Sequence, residues 1–193
     1  MRGVIKLVPR TVGVVSLLAG ALCLAAEFSA DFAEVKGPRT SSGKLYMKGT
    51  KVRREVTQGN TGIMISRPDK DVIWNLNPAG KTYLEMTGIG NMPTSDADIA
   101  AALKDLGERK LVGEESINGY LCDKYAFTYH DKSMGTQYQW ISKKLKVMIK
   151  MDSEGSPFKM STEFKNIKEE SVPDSLFELP AGYTKISIPG LKK

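Results

Sequence analysis

The chain has 193 residues, 41% hydrophobic and 26% charged, with a formal charge of +6, enough length for one domain with one sizeable core. Arg2, Lys6 and Arg10 all precede the first acid, Glu27, so the rest of the chain holds 25 basic and 22 acidic residues and no block of five bases. That mixed surface argues against nucleic-acid binding, which needs positive charge aligned with phosphates. One histidine and two cysteines are too few for a zinc site.

In chain order, residues 1–25 read as a secretory leader. A basic stretch ends at Arg10 and the apolar run TVGVVSLLAGALCLAA follows, short for a membrane span and closed by small residues. Cleavage there would give an exported domain of residues 26–193. A lipid anchor at Cys23 would call for a small residue before it, and Leu22 stands there. Cleavage also leaves Cys122 as the single cysteine, without a disulfide partner.

Short strands come next, separated by turn chemistry. Alternation is clearest in GKLYMKG (43–49), where Leu45 and Met47 oppose Lys44 and Lys48. Further strands are expected at 28–35, 51–57, 62–66, 71–76 and 81–86, broken by Gln58-Gly59-Asn60, Arg67-Pro68-Asp69 and Asn77-Pro78-Ala79-Gly80. The period then changes. SDADIAAALKDLG (95–107) places Ile99, Leu103 and Leu106 at helical spacing, with Ser95 as cap and Gly107 as stop. Strands resume at 108–115, 120–130, 136–142, 146–152 and 158–167, with a tight hairpin at Asn118-Gly119. VPDSLFELPAGY reads as a short helical turn and a loop, before a last extended piece at 183–188. This pattern implies a sandwich or a barrel.

The stretch GYLCDKYAFTYHD holds Cys122 and His130. Eight residues of strand separate them by roughly 27 Å, whereas a nucleophile and its base must approach to about 3 Å. Cys122 therefore reads as a small buried hydrophobe and His130 as a turn residue. Ser41 and Lys44 have Ser-x-x-Lys spacing without the supporting motifs. No nucleophile, base and oxyanion set can be assembled, so the chain reads as a non-enzyme.

Apolar residues occupy both faces of 62–66, 71–76 and 146–152, as in Ile63 and Ile65 against Met64. An antiparallel sheet with one wet face does not need that. Eight methionines follow Met1, and methionine suits surfaces that accept variable apolar shapes. A strongly curved sheet with the one helix in its mouth would fit both facts and leave an apolar groove.

FSADF (28–32), GKLYMKG (43–49), GIMISRPDKDVIWNLNPAGKTYLEM (62–86), ESINGYLCDKYAFTY (115–129) and LFELPAGY (176–183), in that order, resemble the LolA/LolB-like periplasmic proteins. The likeness is greatest to a branch known only as a domain of unknown function, or loosely as outer-membrane lipoprotein-sorting proteins. The resemblance implies a mainly β fold: a single strongly curved antiparallel sheet, an incomplete barrel of about 11 strands, with one inserted helix acting as a lid. It implies a carrier or chaperone for a lipidated protein or another amphiphile, with transient contact to membrane-anchored envelope proteins and no cofactor. Two features depart from the carriers. Their N-terminal amphipathic helix is missing, and Gly49 and Thr50 stand where they have an Arg-Pro pair. None of Arg53, Arg54 and Arg67 is assigned that arginine's role. The expected groove lining is Leu45, Met47, Ile63, Ile65, Trp74, Leu84, Met86, Ile99, Leu103, Trp140, Met148 and Met160. The alternative is an envelope protein-interaction or stress-sensing module without lipid cargo, holding its partner on strand edges or on Lys51, Arg53 and Arg54.

Overall fold

The computed structural model describes residues 26–88, 93 and 95–187; the expected leader, with Cys23, lies outside the described residues. Twelve strands form one sheet. They are β1 (Glu27–Lys36), β2 (Arg39–Lys48), β3 (Lys51–Gln58), β4 (Gly62–Arg67), β5 (Val72–Asn77), β6 (Thr82–Thr87), β7 (Gly107–Ile117), β8 (Tyr120–Tyr129), β9 (Thr136–Ser142), β10 (Met148–Glu154), β11 (Met160–Lys168) and β12 (Thr184–Ile186). The helix α1 (Asp96–Leu103) lies between β6 and β7 in sequence. Across the sheet the order is β12-β6-β5-β4-β3-β2-β1-β11-β10-β9-β8-β7. All pairs are antiparallel except β12 on β6, which is parallel.

The turns use the residues the sequence offers. Asn118 and Gly119 both take positive φ, +50° and +86°, as a two-residue hairpin turn requires. Ser95 caps α1 by accepting from the Asp98 N–H at 3.1 Å, while Asp98 accepts from the Ser95 N–H at 3.2 Å, a reciprocal capping box.

Three expectations need correction. The sheet is open, mixed rather than wholly antiparallel, and not strongly curled. Bulges bend sheets, and the register runs unbroken from β3 through β6, so nothing kinks that half. The helix stops at Leu103, four residues short of Gly107, which instead opens β7. That glycine serves close approach, because a Cβ there would overlap the Thr128 carbonyl oxygen. Finally, α1 is no lid for the whole sheet. Eight residues make a rod of about 12 Å against a sheet about 50 Å wide at roughly 4.8 Å per strand. It packs against β7 and buries Ile99.

Two hydrophobic cores lie on the sheet. One gathers Phe28, Ala30 and Phe32 of β1, Leu45 and Met47 of β2, and Val52 of β3, together with Ile117, Cys122, Trp140, Leu145, Val147 and Ile149. The other gathers Ile65, Val72, Trp74 and Leu76 with Val172 and Phe177. Cross-strand partners point the same way. The register pairs Met47 with Val52, Val52 with Ser66, Ser66 with Ile73 and Ile73 with Met86 on one face, here called the front. It pairs Tyr46 with Arg53, Arg53 with Ile65, Ile65 with Trp74 and Trp74 with Glu85 on the back. Both sides of β4 and β5 are apolar because the back is also covered, by residues 172–183 of the chain itself.

Gly43 sits where β2 and β3 press together. A Cβ there would overlap the Glu55 carbonyl oxygen and stand 3.1 Å from the Phe32 ring. Gly43→Ala is expected to cost about 1–3 kcal/mol, the range for overpacking, read from urea unfolding. A smaller loss would mean that β2 shifts freely against β3.

Candidate binding surfaces

The C-terminal strap, residues 172–183, is fixed to the back of β2–β4 by cations. Lys48 Nζ donates to the Val172 carbonyl at 3.2 Å and to Asp174 at 3.0 Å, and Lys51 reaches Asp174 at 3.1 Å. Arg53 donates to the Leu176 carbonyl at 3.0 Å and Arg67 to the Phe177 carbonyl at 3.1 Å. Arg67 also pairs with Glu178, which Lys70 meets at 2.9 Å. These contacts surround Phe177, which has no exposed surface. Beyond the strap, β12 pairs with β6, and Lys185 meets Glu85 at 2.6 Å.

The expected lining residues therefore divide. Leu45, Met47, Leu84 and Met86 share the front face, while Ile63, Ile65 and Trp74 face back among the strap residues. Trp140 is buried, with Lys150 and Lys124 against its ring at 4.5 and 4.8 Å and its N–H donated to Glu115 at 2.8 Å. Ile99 is buried and Leu103 half-buried on α1, where Asp96 meets Arg109 at 2.7 Å. Met148 is half-buried on β10 and Met160 on β11. The basic cluster Lys51, Arg53 and Arg54 also splits. Lys51 and Arg53 hold the strap, while Arg54 turns to the front, pairs with Glu34 and lies 4.1 Å over the Phe32 ring.

Sequence reasoning missed a groove at one end of the sheet. The β1–β2 turn at Gly37-Pro38, the Gly59-Asn60 turn after β3 and the Phe158-Lys159 approach to β11 border an open groove of about 740 Å³ on its front side. Met160, Val56 and Phe158 supply its apolar wall, and Lys36, Arg39, Arg54 and Lys159 its charge. Phe158 is 67% exposed. Among the described residues that line it, the one carboxylate is Glu34. Burial pushes it up, but hydrogen bonds from Arg54 and Lys36 outweigh that and hold it below the usual range. Among the described residues Arg39 and Lys159 have no ion-pair partner. Only Met160 of this wall belongs to the expected lining; Val56 lies near the end of β3 and Phe158 just ahead of β11.

Cys122 is fully buried and His130 exposed beyond the end of β8. Burial pushes the Cys122 thiol up, which suppresses the reactive thiolate. In the leader-free chain it is expected to resist a thiol-exchange reagent until the protein is unfolded; rapid native labelling would contradict this placement. Among the described residues no His, Cys, Asp or Glu cluster is placed to hold a metal ion, and no helix is long and apolar enough to cross a membrane.

Residues 33–151, well over half of the chain, match the model of a family described as a domain of unknown function, DUF4412. The chain belongs to the DUF4412 family. The matched stretch of this DUF4412 chain ends in β10, so β11 and the strap lie beyond it. No curated protein matches the sequence. Among solved structures, an uncharacterized conserved protein from Thermus thermophilus is similar at TM-score 0.59 and 10% identity, over 84% of this chain and 91% of that one. The MucA/MucB complex of Pseudomonas aeruginosa is similar at TM-score 0.57 and 13% identity, over 86% of this chain and 59% of that one. The DUF4412 chain thus spans little more than half of that relative. A LolA superfamily protein, NE2245 from Nitrosomonas europaea, aligns at TM-score 0.38 and 14% identity, over 79% of this chain and 90% of that one. The first two likenesses establish a shared fold.

Proposed function

We propose that this chain is a non-catalytic binding protein of the cell envelope that holds another protein, exported on a leader of residues 1–25. The observation that carries this reading is the division of its apolar surface. An acyl-chain carrier draws about 0.8 kcal/mol from each CH2 it removes from water, and so needs one continuous, enclosed apolar pocket. Here the back-face apolar residues are packed under the chain's own strap, and the groove at the turns is cation-rimmed. The fold likeness to MucB, solved in complex with MucA, supports the same choice of a protein as partner. A carrier of a lipidated protein or other amphiphile is the second reading, favoured by Leu84 and Met86, which stay half-buried on the front face away from the strap.

Native mass spectrometry of the chain exported to a periplasm and purified without detergent separates the two. A bare protein mass, unchanged by added lipids or lipopeptides, is expected. Mass released on denaturation as a lipid or an acylated peptide would favour the carrier.

A further inference from the structure

We propose that the groove at the turn end of β1, β3 and β11 is a docking site for an extended partner segment in which acidic residues flank a bulky apolar one. The inference rests on the protein-binding reading above and names its surface and partner chemistry.

Charge complementarity is the first argument. Lys36, Arg39, Arg54 and Lys159 face one carboxylate, Glu34, and that carboxylate is already satisfied by Arg54 and Lys36. Arg39 and Lys159, both exposed residues of the groove lining, are left to meet a ligand's negative charge. Exposed phenylalanine beside arginine is also the composition of an interface anchor.

The second argument is the chain's own strap. On the back face, Phe177 is held between Asp174 and Glu178 while Lys48, Lys51, Arg67 and Lys70 bind those carboxylates. That is an acidic-apolar segment bound by cations around an apolar seat. The groove has the same parts, with Phe158, Met160 and Val56 as the seat and Arg39 and Lys159 as the cations. An acyl chain in so open a trough would stay partly wet, whereas a peptide keeps its backbone hydrated at no loss.

The test uses the full exported chain and a short fluorescein-labelled peptide in which Asp and Glu alternate with Leu and Phe. Controls are its counterpart with Lys for each acid and phosphatidylglycerol vesicles. Anisotropy is expected to rise with the acidic peptide and not with the lysine one, and to weaken with salt, which screens exposed charge. The double variant R39E/K159E is expected to bind at least about tenfold more weakly at an unchanged melting temperature; K143E/K144E, a distant pair, is expected to bind like the parent. Equal binding by R39E/K159E would overturn the groove assignment while leaving the protein-binding reading intact. Binding to vesicles alone, or to neither probe, would overturn the peptide assignment. The native mass measurement then decides separately whether the protein-binding reading itself survives.

Discussion

Phe177→Ala is expected to lower the unfolding free energy by about 3–5 kcal/mol, the range for deleting a fully buried aromatic ring. The size is unusual for a residue on a single 3-10 turn, Asp174–Phe177, outside any strand. It follows from where the ring lies. Phe177 has no exposed surface and joins Val172, Ile65, Val72, Trp74 and Leu76 in the back core. Alanine would leave a cavity between the strap and the sheet, and the strap has no helix or long strand of its own to resist peeling away. Strap detachment would then expose the back of β4 and β5 to water. Amide exchange is expected to speed up in β5, β6 and β12 before the rest of the sheet, since a local opening needs less free energy than global unfolding. A loss under about 1 kcal/mol, with exchange unchanged, would show that the strap rests on the sheet without being part of its core.

The strap also marks the limit of what the sequence disclosed. Strand positions were legible because turn residues bracket them, as at Asn118-Gly119 and Arg67-Pro68-Asp69. The helix was legible because its Ser95 cap and its period agree. Its C-terminus was not, because Gly107 has two uses and only contact with Thr128 distinguishes them. The apolar residues on both sides of β4 and β5 were read as the lining of a groove with the helix in its mouth, whereas a cover of the chain's own residues packs on their back. That cover comes from more than a hundred positions away: Arg67 meets Phe177 and Lys48 meets Val172. Alternation can state that Ile65 and Met64 point apart; it cannot state that Leu45 shares a side with Met64 rather than with Ile65. That needs the register of β2 on β3 and of β3 on β4. The expected lining mixed the two faces for this reason, and the groove escaped notice because the strand ends that carry Arg39, Val56, Phe158 and Lys159 come together only through the register of β1 on β2 and β11 and of β2 on β3.

Arg67→Met should be the most destabilising single charge removal on the back face, about 2–3 kcal/mol at neutral pH. Arg67 is 5% exposed, and its guanidinium uses both its edges. Nε and Nη2 grip Asp69 at 2.8 and 2.6 Å, and Nη1 serves the Phe177 carbonyl and Glu178. Methionine keeps the stem and removes every donor. Removing one member of a fully buried pair costs about 3–5 kcal/mol. Here Asp69 and Glu178 are 44% and 48% exposed and can rehydrate, which sets the lower figure. Acid distinguishes the ion pairs from the carbonyl bond. The Arg67 hydrogen bonds hold the Asp69 carboxyl down at about 2, against 3.8 ordinarily, and Glu178 is lowered by Lys70 and then by Arg67. A carboxyl depressed on folding stabilises fully above its unfolded value, and that stabilisation is lost as pH falls through its folded value. The gap between wild type and Arg67→Met in urea unfolding is therefore expected to be widest above about pH 5 and to narrow from about pH 4 towards pH 2. A gap constant across that range would assign the arginine's worth to the Phe177 carbonyl and to packing. A gap that closes would establish that two carboxylates, one beside β4 and one on the strap, share a single buried cation as the latch of the back face.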